Sequence, residues 1–86
     1  MESIEIKLRQ AVDASNKGDY QISFDIFKPL AEEGNAKAQF HLGFLYRIGQ
    51  AVNQDYDQAY HWYLLSANQG YAEAQYKIGL MYYKGQ

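Results

Sequence analysis

The stretch that decides the fold is Asp55–Gln86, DYDQAYHWYLLSANQGYAEAQYKIGLMYYKGQ. Shifted back by 36 residues, it lies on Asp19–Gln50 without a gap. Eleven of the 32 aligned positions are identical, among them Asp19/Asp55, Ala31/Ala67, Gly34/Gly70, Ala38/Ala74, Gln39/Gln75, Gly43/Gly79 and Tyr46/Tyr82. Others swap like for like: Phe24/Tyr60, Phe27/Tyr63, Phe40/Tyr76, Leu42/Ile78 and Leu45/Met81. A fixed period of this size marks a repeat architecture, in which each unit buries its apolar face on its neighbours. Arrays of this kind present surfaces and seldom perform chemistry.

Punctuation around the repeat predicts five helices, at about residues 3–16, 19–33, 36–48, 55–69 and 72–84. Ser3 and Asn35 have the chemistry of N-caps, and Asp55 with Gln58 three residues on has the spacing of a capping box. Lys17-Gly18, Gly34, Gly49, Gly70 and Gly85 are stop signals. Pro29 falls inside the second helix and is expected to kink it or end it near Lys28, because it lacks an N–H and clashes with the preceding turn. Residues 49–53 form a loop. No segment alternates polar and apolar residues over strand length. Gly43 and Gly79 lie mid-helix, where glycine costs about 1 kcal/mol against alanine. Their recurrence predicts close backbone approach to a small residue on a packed helix, such as Ser23 or Ala59.

The 86 residues are read as one domain spanning 1–86. The chain has no cysteine, so neither a disulfide framework nor a thiolate metal site can form, which fits a reducing compartment. Acid stands near the start where a signal peptide needs base, and no run approaches the roughly 18 apolar residues of a membrane span. The expectation is a cytoplasmic protein with no membrane association. Net charge is −2 and the eight Lys and Arg are scattered. That lacks the clustered basic patch of a nucleic-acid binder. Aromatic content is high: nine Tyr, four Phe and one Trp.

Asp55-Tyr56, Ala59, Trp62-Tyr63, Ala67, Gly70, Ala72, Ala74-Gln75-Tyr76, Gly79, Tyr82 and Gly85, preceded by Ala36, Ala38-Gln39-Phe40, Leu42-Gly43, Tyr46 and Gly49, resemble the Sel-one-like repeat family. That family is a branch of the tetratricopeptide-like helical solenoids. The likeness covers roughly Gly34–Gln86, while the first two helices look like an ordinary tetratricopeptide turn. It implies an all-α, short right-handed solenoid of stacked helix–turn–helix units, about two and a half repeats long, acting as a scaffold or adaptor. The family's Gly-x-Gly-Val loop is written here Gly49-Gln50-Ala51-Val52, without the second glycine. The sequence stops at the end of a first helix, so the expected partner helix is missing.

At 100° per residue the third helix has two apolar faces instead of the usual single stripe. Ala38, Gln39, Leu42, Gly43 and Tyr46 form the packing side. Phe40, Phe44 and Arg47 lie on another side, and Lys37 and His41 mark a polar edge. The fifth helix repeats the layout with Ala74, Ile78, Gly79 and Tyr82 opposite Tyr76, Leu80 and Tyr83, with Glu73 and Lys77 as the edge. First helices line the concave surface in tetratricopeptide-like arrays. The resemblance therefore implies a partner-binding groove of Lys37, Phe40, Phe44, Arg47, Tyr76, Leu80 and Tyr83. Aromatic residues and Arg are favoured in such surfaces. The other reading of these residues is ordinary core between neighbouring first helices. Trp62 is read as a packing residue.

No catalytic, cofactor or metal constellation is found. His41 and His61 lie on different helices without carboxylate partners, Asp55 and Asp57 lack calcium-loop spacing, and no two glycines are close enough for a phosphate loop. Cysteine-rich relatives discussed as β-lactamase-like are no guide here. Two functions remain: a non-enzymatic module that binds a protein or peptide on its concave face, or a unit that homodimerises through its incomplete last repeat. In the second case Ile78, Met81 and Tyr82 would be the exposed self-association residues.

Overall fold

The computed structural model describes residues 3–84, with side chains as far as Tyr82. Five helices follow in order: α1 Ile4–Asn16, α2 Tyr20–Glu32, α3 Ala36–Ile48, α4 Tyr56–Asn68 and α5 Ala72–Lys84. Among the described residues there is no strand. Each helix packs on the next in chain order. The result is a helical repeat solenoid 40 Å long and 25 by 19 Å across.

Local chemistry sets the helix ends. Side-chain oxygens of Ser3, Asn35 and Asp55 accept from the backbone N–H of Ile6 (3.2 Å), Ala38 (2.9 Å) and Gln58 (3.0 Å), each satisfying one orphan donor of the first turn. After α1, α2 and α4 the chain reverses through Gly18, Gly34 and Gly70, all at positive φ. The following N–H then returns to the helix: Asp19 to Ala14 (2.8 Å), Asn35 to Leu30 (3.0 Å) and Tyr71 to Ser66 (3.3 Å). These are six-to-one Schellman bonds. Asp19 and Asn35 thus close one helix and stand at the N-cap of the next, which forces tight antiparallel pairs.

Two local expectations are corrected, and the loop after α3 adds a third finding. Pro29 does not end α2, which runs through it to Glu32. The proline forfeits only its own bond to the Asp25 carbonyl, and both residues are exposed, so water can reach the freed group. Burial of Leu30 and Ala31 holds the last turn. The capping box at α4 is half-formed, because the Asp55 N–H donates to the Tyr46 carbonyl at 2.9 Å and so ties the loop to α3. Ala51 takes φ 68°, so the loop keeps a left-handed residue where the family pattern has its second glycine. That conformation costs a non-glycine residue about 1–2 kcal/mol.

Two cores result. The first joins Leu8 and Ala11 of α1, Phe27, Leu30 and Ala31 of α2, and Ala38, Leu42 and Leu45 of α3, with Trp62 packed against it. The second joins Phe40 of α3, Ala59 and Tyr63 of α4, and Ala74 and Met81 of α5. Buried Ser23 and Ser66 donate to the carbonyls of Ala11 (2.6 Å) and Ala36 (2.7 Å), satisfying their hydroxyls across the helix contacts. The Gln39 amide donates to the Ala31 carbonyl and Gln75 donates to that of Ala67, both at 3.2 Å. One packing bond is therefore made twice, 36 residues apart.

The mid-helix glycines diverge. A Cβ on Gly43 would lie 3.0 Å from the Tyr63 ring and 3.1 Å from the Ala59 carbonyl oxygen, so the predicted close approach to Ala59 is real there. A Cβ on Gly79 would meet nothing within 4 Å. The approach expected of Gly79 is absent because no described helix follows α5.

Candidate functional site

The first helices α1, α3 and α5 share one face of the solenoid. Two clefts run along it and meet at Val12. One lies between α1 and α3, where Glu5, Arg9 and Lys37 surround Leu8 and Val12. The other is built by all three helices. Val12 of α1 and Phe40 and Phe44 of α3 supply its apolar wall, and His41, Glu73 and Lys77 its polar one. The rim thus carries three cations, Arg9, Lys37 and Lys77, against two carboxylates, Glu5 and Glu73, in a chain of net charge −2.

Only part of the expected groove assembles. Lys37, Phe40 and Phe44 line the clefts. Phe40 is mostly core, at 7% exposure, with its ring 5.6 Å from Tyr63 and 5.4 Å from Tyr71. Arg47 and Leu80 are half-buried and line neither cleft. Tyr76 is 66% exposed and belongs to the open end of the array. Its repeat twin Phe40 is covered by α4 and the turn after it, and nothing described covers Tyr76. The side chain of Tyr83 lies outside the described residues. Conversely, the residues read as a polar edge, His41, Glu73 and Lys77, line the cleft. The signal was present: Lys37 and His41 recur in register as Glu73 and Lys77, spaced i, i+4, on the face that borders the aromatic stripe.

The self-association triplet also separates. Met81 is 2% exposed and sits in the second core. Ile78 is half-buried against that core. Met81 was expected to be uncovered, but its register matches Leu45, which faces the preceding helix pair. Tyr82, at 84% exposure, is the member that stands free.

Two groups, half-buried His41 and buried Tyr63, have strongly shifted proton affinities. His41 stacks on Phe27, with centroids 4.7 Å apart and planes 10° from parallel, and meets Phe40 edge-on at 5.2 Å. Burial, with a smaller push from Lys37, lowers its pKa to about 4, so the ring is neutral at pH 7. The Tyr63 hydroxyl is buried without a hydrogen-bond partner among the described residues. Burial raises its pKa to about 12, with the Arg47 charge pulling partly the other way. Among the described residues no three His, Asp or Glu side chains cluster to hold a metal ion, and no helix is long and apolar enough to cross a membrane.

Comparison with protein families matches the Sel1 repeat to residues 36–71 and 72–86, more than half of the chain. No curated protein matches it.

Proposed function

The chain belongs to the Sel1 repeat family, whose repeats are generally protein–protein interaction modules and typically non-enzymatic, and on that premise we propose that the face lined by α1, α3 and α5 binds a peptide or protein segment. The observation that carries this reading is the cleft itself. Three successive first helices line one cleft, and Phe44, packed against the second core, stands half-buried in it. An apolar floor under a rim with a cation excess suits an extended or helical segment with an apolar anchor flanked by Asp or Glu. In this reading the chain acts as an adaptor.

A displayed library of short peptides, selected on the immobilised chain, tests it. Enriched sequences should pair an apolar residue with acidic neighbours. Their affinity should fall about tenfold or more in the charge-reversed Lys37→Glu/Lys77→Glu variant. Selected peptides that bind this variant as tightly as the wild type would remove the cleft from consideration.

A second reading, association through the last helix, is favoured by one observation. Gly79 and Tyr82 are uncovered on α5, while Gly43 is buried and Tyr46 half-buried at the same register on α3. A homodimer through this end is one form that such association would take, and sedimentation of the chain alone reads it directly.

A further inference from the structure

The polar wall of the second cleft holds a side chain that packing fixes but does not satisfy. His41 is half-buried there. Its ring is held from two sides, by the stack on Phe27 and the edge contact with Phe40. Neither contact is a hydrogen bond, and among the described residues neither ring nitrogen has a hydrogen-bond partner. Among those residues the side-chain polar atom both sealed from solvent and unpartnered is the Tyr63 hydroxyl. The nitrogens of His41 are therefore open to solvent. With its proton affinity lowered, the ring is neutral at pH 7 and presents one donor and one acceptor rather than a charge.

The neighbours of His41 in this cleft are Val12, Phe40 and Phe44. They suit an apolar side chain, and a side chain seated there brings its own main-chain amides close to the wall. In a helical segment those amides are bonded internally, whereas in an extended one they are free. Left unpaired in an apolar cleft they would oppose binding. Resting on the reading of this face as a binding surface, we infer that His41 is a ligand-binding residue that hydrogen-bonds a main-chain amide of the bound segment, which is extended where it crosses α3. The imidazole, and not the charged rim, selects the extended form. Lys37 and Lys77 attract acidic side chains whether these stand on a helix or on an extended chain.

Two displayed libraries of matched apolar and acidic content test this on the immobilised full chain. One holds linear peptides kept extended by interspersed prolines, and the other carries its segments on a stable helical scaffold. The linear peptides should enrich. The enriched peptide is then remade with each amide replaced in turn by an ester, which removes the N–H and weakens the carbonyl as an acceptor. One such ester should weaken binding to the wild type by about tenfold. His41→Phe keeps a ring for the stack, and circular dichroism checks that it stays helical. It should weaken the parent peptide by a similar factor and be indifferent to that ester. In the wild type the ring-nitrogen resonances of His41 should shift when the parent peptide binds, a readout that needs no variant. Enrichment from the helical library alone, esters that act equally on wild type and His41→Phe, or unmoved His41 resonances overturn the inference and leave the cleft as a binding face. No enrichment from either library removes the binding face as well.

Discussion

Tyr63 shows how a repeat tolerates a local misfit. Its ring fills the second core as Phe27 fills the first, 36 positions earlier, and both are buried. Phe27 has no hydroxyl to satisfy, whereas Tyr63 buries one without a partner. A buried, unpaired hydroxyl costs about 1–3 kcal/mol. Tyr63→Phe should therefore raise stability by roughly 1 kcal/mol, or about 4 °C in Tm for a domain of this size. A thermal melt by circular dichroism checks it, and a clear loss of stability would mean that the hydroxyl has a partner in solution. Nothing at residue scale foretold the misfit, because Phe/Tyr exchange between repeats is conservative in area and only the packed core reveals where the oxygen ends up.

At the scale of helices, the same glycine plays opposite parts. In α3 the helix behind leaves no room for a methyl at 43, and in α5 there is open space at 79. Gly43→Ala gains about 1 kcal/mol of helix propensity but forces the Tyr63 ring and the Ala59 carbonyl apart. Overpacking of that kind costs about 1–3 kcal/mol, so the net change should be destabilising. Gly79→Ala keeps the propensity gain and should stabilise by up to about 1 kcal/mol. Urea unfolding of the two variants side by side should give opposite signs. Equal signs would mean that the two faces are equally covered in solution. Helix boundaries were legible to within a residue, since Ser3, Asn35, Asp55 and the reversing glycines act through their own neighbours. The ending that Pro29 offers near Lys28 is not taken, because its local penalty competes with burial of Leu30 and Ala31, which is a property of the packed array.

Across the whole molecule, His41 sits where the two cores meet, stacked on Phe27 of the first and edge-on to Phe40 of the second. Its pKa is about 4 in the fold and near 6.5 when unfolded. The unfolded chain therefore takes up the proton first. Stability from this site is complete above pH 6.5, falls as the pH drops towards 4, and is constant below that. The loss should be up to about 3 kcal/mol, less whatever solvent reaching the half-buried ring screens. Carboxylates titrate in the lower part of the same range, so the test is the difference between wild type and His41→Asn in unfolding free energy at pH 7 and pH 4. A wild type that loses no more than the variant between those values would refute the assignment. A chain of 86 residues with two small cores has little stability in reserve, so a change of this size is readily seen.

The sequence by itself determined the period, the five helices, their caps and reversals, and membership of a helical repeat array. All of these follow from spacing and from contacts within a few residues. It also supplied the residues of the cleft, but sorted them by chemistry rather than by direction, so that His41, Glu73 and Lys77 were read as an edge and Tyr76 as a wall. Only the tertiary structure decided which stripe of a first helix turns to the shared face, which to the preceding pair and which to the next. Met81 and Tyr82 are adjacent in sequence, yet one is buried and the other bare. The physical reason is that a helix inside a solenoid has neighbours on both sides. A repeat encodes both contacts at every copy, whether or not the second neighbour is there to make them.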